Sequence, residues 1–184
     1  TTKRDIVFFG DSLTEGYTLD PSSAYPSLIQ KQLHAEGLQY NIVNAGVSGD
    51  TSAEALQRLD EVIGRDIKIF FIALGANDSR HEVPPAELKS NLREIINRVR
   101  LKTPTALFVI AGVKALRDNG EQYTSQFDAV FPDLAIEQGA ALMPQLLEGV
   151  YQNSSLLLTD GIHPNAEGHV VIAGNVLTVI RPLL

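Results

Sequence analysis

An aspartate three residues before a histidine, as in Asp160-Gly161-Ile162-His163-Pro164, can hold one imidazole nitrogen and leave the other facing a nucleophile. Ser12, in Gly10-Asp11-Ser12-Leu13, supplies a hydroxyl for that role. Together they meet the needs of acyl transfer: a nucleophile, a base that takes its proton and returns it to the leaving group, and a carboxylate that fixes the imidazole tautomer and stabilises the imidazolium. Acyl transfer also needs donors for the oxyanion. Three are on offer: the N–H of Ser12 if it begins a turn, the N–H of Gly49 in Gly46-Val47-Ser48-Gly49-Asp50, and the side-chain amide of Asn77 in Gly75-Ala76-Asn77-Asp78. Gly49 is expected to offer its N–H at close range because no side chain is in the way. The expected site is therefore Ser12, Asp160 and His163 as catalytic residues, with Ser12, Gly49 and Asn77 lining an oxyanion hole.

Each island taken alone has a plainer reading. Gly-Asp-Ser is a common turn, Gly49-Asp50-Thr51 can be a helix-capping turn, Gly75-x-Asn77-Asp78 an Asx turn, and Asp160-x-x-His163 a packed loop histidine. The weight lies in finding all four in one chain. Asp11 and Asp78 are expected to bond the backbone of the loops rather than act as acids. His34 falls among polar neighbours and reads as solvated, while His81 and His169 have no partner at ligand spacing. No His-Glu-x-x-His, no cysteine and no Gly-Lys-Ser/Thr is present, so neither a metal site nor a cofactor is expected.

These islands need a scaffold that brings distant segments together. Short apolar runs at 6–9, 40–43, 67–74, 106–111 and, more weakly, 140–143 predict strands, and their near-continuous apolarity predicts burial on both faces of a parallel sheet. Between them lie helical periods: Tyr25 to Leu33; Ala55, Leu56, Leu59, Val62, Ile63; Leu88, Leu92, Ile95, Val99; and Tyr123, Phe127, Val130, Phe131, Leu134. A last helix is predicted over 166–180. Thr51 and Glu54 have capping-box spacing, Pro84-Pro85 suits a first helical turn, Pro132 should kink or restart its helix, and Asn165 is placed to cap the last one. The alternation predicts one domain over 1–184, a three-layer α/β/α sandwich around a parallel sheet of about five strands. The first three islands each follow a predicted strand, and in such a sheet the carboxyl ends of the strands border the ligand crevice.

Composition narrows the partners. At 184 residues and 44% hydrophobic the chain can bury an ample core. A net charge of −7 argues against nucleic acid and anionic membrane surfaces. No apolar run approaches a membrane span of about 18 residues, so no integral membrane association is expected. The absence of cysteine excludes disulfides and thiol catalysis and is neutral on compartment. The chain opens Thr1-Thr2-Lys3 without methionine, which leaves room for a removed leader, initiator or tag.

In their order, Gly10-Asp11-Ser12-Leu13, Gly49, Gly75-x-Asn77-Asp78 and Asp160-x-x-His163-Pro164 resemble the four blocks of the SGNH (GDSL) hydrolase family. The resemblance runs from Ile6 to the last helix. It implies a flavodoxin-like fold with the triad and oxyanion residues already named, and it is strongest to the small bacterial thioesterase, lysophospholipase and arylesterase branch, many of whose members are periplasmic. A periplasmic or secreted location follows from the resemblance alone, with the cytoplasm left open. The expected function is hydrolysis of carboxylic esters or acyl thioesters of small molecules through an acyl-enzyme. The alternatives are a carbohydrate O-acetyl esterase with the same triad, or a catalytically silent binding module on the same fold.

Two loops depart from that branch. Ser79-Arg80-His81-Glu82 stands where Gly-Leu-Arg-Gly is usual, and Lys114-Ala115-Leu116-Arg117-Asp118-Asn119-Gly120 replaces a Pro-Pro-Asn-Tyr-Gly-like loop. Both should overhang the crevice, carrying Arg80, His81, Lys114 and Arg117 on an otherwise acidic chain.

Overall fold

The central strands are built from residues that cannot be left in water on either face. In the computed structural model, which describes residues 3–184, β1 (Asp5–Gly10) is buried at every position. Thr1 and Thr2, on which the reading of a removed leader turns, lie outside the described residues. Phe8 meets Tyr25 and Phe71 on one face, at ring-centroid distances of 5.5 and 5.2 Å. Phe9 meets Phe70 at 5.4 Å on the other. Burying each such ring stabilises the fold by roughly 1.5–3 kcal/mol, and doing so on both faces forces a helical layer on each side.

Four further strands complete the sheet: β2 (Asn41–Gly46), β3 (Ile67–Ala73), β4 (Leu107–Ala111) and β5 (Ala141–Met143). Their order is β2-β1-β3-β4-β5, and every pairing is parallel. This is the expected α/β sandwich with five strands. Chain order reverses direction across the sheet between β1 and β3, and ligand crevices open beyond the carboxyl ends at such a switch point.

Seven helices surround the sheet among the described residues: α1 (Ser12–Glu15), α2 (Tyr25–Ala35), α3 (Ser52–Gln57), α4 (Ala76–Arg80), α5 (Pro85–Lys102), α6 (Glu121–Gln138) and α7 (Ala166–Ile180). α2 packs on α7, and α5 packs on both α3 and α6. Thr51 and Glu54 form the expected capping box, Pro85 begins α5, and Asn165 caps α7 by accepting from the Gly168 N–H.

Four expectations are corrected. β2 is an edge strand, only partly buried, and it runs on through Asn44-Ala45-Gly46 because those residues keep register with Phe8, Phe9 and Gly10. The helical period over 55–63 breaks: α3 ends at Gln57, and a separate 3-10 turn spans Leu59–Glu61, after Arg58 has turned its side chain back toward the sheet. Of the kink or restart expected at Pro132, the restart is ruled out, since α6 runs unbroken through it. The residue whose carbonyl loses its partner, Asp128, is exposed to water, while Phe127, Val130, Phe131 and Leu134 stay packed on the core. Finally, two one-turn helices absent from the sequence expectations, α1 and α4, carry Ser12 and Asn77.

Candidate active site

β1 and β3 end side by side, and the chain leaves each in a single helical turn. At the first, Asp11 caps α1 by accepting from the Leu13 N–H at 3.0 Å, which sets Ser12 at the helix start. Gly46 permits this close packing, because an added Cβ would lie 2.4 Å from the Glu15 nitrogen and 2.9 Å from the Asp11 carbonyl oxygen.

His163 arrives from the opposite end of the sequence on a loop tied down along both edges. Leu158 donates to the His163 carbonyl at 2.7 Å, Asn165 donates to the Leu156 carbonyl at 2.9 Å, and the Asn165 side chain also donates to the Ser155 carbonyl. The Asp160 carboxylate organises the loop around itself. Its Oδ1 accepts from the N–H groups of Ile162 and His163, and its Oδ2 accepts from the imidazole Nδ1 at 2.5 Å. Partial burial works to raise the Asp160 carboxyl, but these hydrogen bonds and the neighbouring imidazole hold it down at about 2. With its proton on Nδ1, the ring presents Nε2 as an acceptor for the Ser12 hydroxyl, 3.1 Å away. The chain Ser12–His163–Asp160 can move a proton off the serine and hold the resulting imidazolium.

Ser12, Gly49 and Asn77 border one crevice of about 590 Å³ together with His163. The backbone N–H groups of Ser12 and Gly49 have no acceptor among the described residues, so both are free to donate to an oxyanion. Asn77 donates one amide hydrogen to the Asp50 carbonyl at 3.0 Å, which fixes the amide and leaves its second N–H unused. Glycine at 49 has a further reason beyond the expected one: the backbone φ of +86° favours it, while no protein atom lies within 4 Å of an added Cβ on this border of the crevice.

Several residues around the site carried no signal in sequence. Tyr17 lays its ring against His163, with centroids 4.4 Å apart. The Glu15 carboxylate accepts from both the N–H and the hydroxyl of Ser48, pinning the turn that carries Gly49. Arg58 pairs with Asp50 at 2.6 Å and donates to the carbonyls of Gly10 and Ala45, so one guanidinium joins the ends of β1 and β2 to the Gly49-Asp50 turn. The stretch after β5 contributes Leu147, Tyr151 and Gln152 to the crevice wall, which Leu116 and Arg80 also border. Asp50 and Arg58 are eight residues apart, outside the spacing at which helical side chains pair, and no local pattern marks the others.

The expectation for Asp11 and Asp78 holds, since both bond loop backbone: Asp78 accepts from the Ser52 N–H at 2.8 Å and from its hydroxyl at 2.6 Å. His34 is exposed, as expected, and its ring meets the Tyr40 carbonyl. Among the described residues no three His, Cys, Asp or Glu side chains cluster as a metal site.

Two buried groups here give opposite pH responses. Burial lowers His169, whose Nδ1 accepts from the Tyr25 N–H, from an ordinary 6.5 to about 4. Between those values only the unfolded chain binds the proton, so stability falls as pH falls. Asp11 is also buried, with one carboxylate oxygen lacking any partner. Burial raises it from 3.8 to about 7, over the opposing Leu13 hydrogen bond and helped by nearby Asp50 and Asp78. Between those values only the folded chain holds the proton, so stability rises as pH falls. Each effect is on the order of 3 kcal/mol over its window, and they largely cancel from pH 6.5 to 4. Relative to the unmodified protein, His169→Asn should gain stability and Asp11→Asn should lose it when urea unfolding is moved from pH 6.5 to pH 4.5. Shifts of the same sign in both variants would contradict these protonation states.

Residues 8–171 match the GDSL-like Lipase/Acylhydrolase family. The chain is 33% identical to Esterase TesA of Pseudomonas aeruginosa over 97% of its own length and 89% of that protein. It is 31% identical to Thioesterase 1/protease 1/lysophospholipase L1 of Escherichia coli K12, over 97% of its length and 84% of that protein. A solved structure of TesA superposes with a TM-score of 0.91 at 33% identity, covering 98% of this chain and all of the other.

Proposed function

The chain belongs to the GDSL-like lipase/acylhydrolase family, and from that premise we propose that Ser12 attacks the acyl carbon of its substrates, with His163 as base and Asp160 as its orienting partner. The protein is a serine esterase or thioesterase, a carboxylic ester hydrolase acting on small-molecule esters. Attack transfers the Ser12 proton to His163 Nε2 and produces a tetrahedral oxyanion, which the N–H groups of Ser12 and Gly49 and the amide of Asn77 stabilise. His163 then protonates the leaving alcohol or thiol, and a water activated by the same imidazole releases the acid from the acyl-enzyme. The observation that carries this reading is the Ser12–His163–Asp160 hydrogen-bond chain opening onto a crevice with two unpaired backbone N–H groups. The crevice wall also includes Leu13, Leu116, Leu147, Leu157 and Ile162, which favours an acyl chain over a sugar as the group held beside Ser12. On this reading residues 1–184 act as one hydrolase domain, without a cofactor. No helix among the described residues is long and apolar enough to cross a membrane.

The test is a series of 4-nitrophenyl esters from acetate to dodecanoate, with matched acyl thioesters, assayed with and without EDTA. Turnover extending beyond acetate and unaffected by chelator is the expected result. Activity confined to acetyl groups and greatest on acetylated carbohydrate would transfer the site to that substrate class. No turnover of any ester would leave a binding module.

A further inference from the structure

An acidic chain that neutralises its arginines has left one of them free at the mouth of its crevice. Arg4, Arg58, Arg65, Arg93, Arg98, Arg117 and Arg181 are each paired with a carboxylate, and Arg100 donates to the side chain and carbonyl of Gln138. Arg80 has neither an ion pair nor a hydrogen bond among the described residues, and it borders the crevice that holds Ser12 and His163. Lys114 borders the same crevice, and the group it meets is the ring of Tyr151, 5.3 Å from its Nζ. An aromatic face steadies an ammonium without cancelling its charge.

The two loops that carry these cations are fastened to each other. The Ser79 hydroxyl accepts from the Leu116 N–H at 2.8 Å and donates to the Ala76 carbonyl, while the Ser79 carbonyl accepts from the Asn119 side chain at 2.8 Å. Arg80 therefore follows a residue fixed to the 114–120 loop, and the two positive charges share one rim. Glu82, the nearest acid in sequence, is engaged by Arg117 at 3.4 Å. Arg117 does not border the crevice, so the expectation that all four basic residues face substrate is narrowed to two. Among the described residues the one acid bordering the crevice is Asp11, which is 1% exposed and lies beside Ser12.

We propose that Arg80 and Lys114 form an anion-binding subsite at the crevice mouth, which selects esters carrying a carboxylate or phosphate several bonds from the scissile carbonyl. The proposal rests on the hydrolase reading given above. Both cations are exposed, so the subsite attracts through solvent-screened charge, and its effect should weaken with salt. It acts on binding of the remote group and leaves the chemistry at Ser12 unchanged.

Two matched pairs of esters locate the anion. Mono-4-nitrophenyl adipate against 4-nitrophenyl hexanoate puts the charge on the acyl side, and 4-carboxyphenyl butanoate against 4-carbamoylphenyl butanoate puts it on the leaving group. The unmodified enzyme should show a ratio of kcat/KM, anionic over neutral, that falls as salt is raised in at least one pair. Arg80→Gln with Lys114→Gln should lower that ratio about fivefold or more, mainly through KM, while Arg117→Gln leaves it in place. The salt dependence of the unmodified enzyme tests the idea independently of any variant's folding. Ratios indifferent to salt and to the double substitution, with neutral esters still hydrolysed, would overturn the subsite and spare the hydrolase. Failure of the unmodified enzyme on all four esters would overturn the hydrolase reading and the subsite with it.

Discussion

Replacing Ser12 by alanine should lower kcat by roughly 10⁴–10⁶ and leave the fold intact. On the proposed mechanism the magnitude follows from removing the atom that forms the acyl-enzyme: water must then attack unaided, with the oxyanion donors and binding left to supply what catalysis remains. The fold should survive because, among the described residues, the Ser12 hydroxyl bonds His163 alone, and the N–H group proposed to donate to the oxyanion belongs to the backbone. Circular dichroism and urea unfolding of the variant should match the unmodified protein. Ser48→Ala is the informative contrast. Its hydroxyl is held by Glu15, so its loss should loosen the Gly49 turn and cost far less in rate. Comparable losses from Ser48→Ala and Ser12→Ala would mean that Ser12 holds no special role.

Asn77→Ala should reduce kcat by about 10²–10³ with little movement of KM, as expected when a donor acts on charge that develops only in the transition state. The variant also loses the bond from the amide to the Asp50 carbonyl, a buried contact whose removal costs about 1 kcal/mol of stability. That structural loss is separable. If it alone were responsible, displacement of the Gly49-Asp50 turn would raise KM along with the fall in kcat. A change confined to KM would make Asn77 a substrate-binding residue.

The central strands were legible because burial on both faces leaves an unmistakable apolar run, as in Ile6 to Phe9 and Ile67 to Leu74. The edge strand β2 was legible only at its start. Asn44 and Gly46 are poor strand formers held there by pairing with β1, a preference set by tertiary context. The break after α3 was hidden for a related reason: Arg58 satisfies carbonyls at Gly10 and Ala45, partners that local periodicity cannot reveal. At the site, residues chosen for their chemistry could be named in advance, since few side-chain types can act as nucleophile or base. The structure brings Ser12, His163 and Asp160 into one hydrogen-bonded chain and sets Gly49 and Asn77 on the same crevice. Residues chosen for support could not be named. Tyr17 against His163, Glu15 under Ser48 and Tyr151 beneath Lys114 are ordinary residues whose importance comes from where the fold puts them.

The account turns on which atom becomes acylated, and an organophosphonate that mimics the tetrahedral intermediate reports that atom directly. Intact mass after treatment should rise by a single phosphonyl group, and peptide mapping should place it on Ser12. Labelling should slow in His163→Ala, which lacks the base, and vanish in Ser12→Ala. A group mapped to Ser48 or Ser79, or undiminished labelling of Ser12→Ala, would contradict the account.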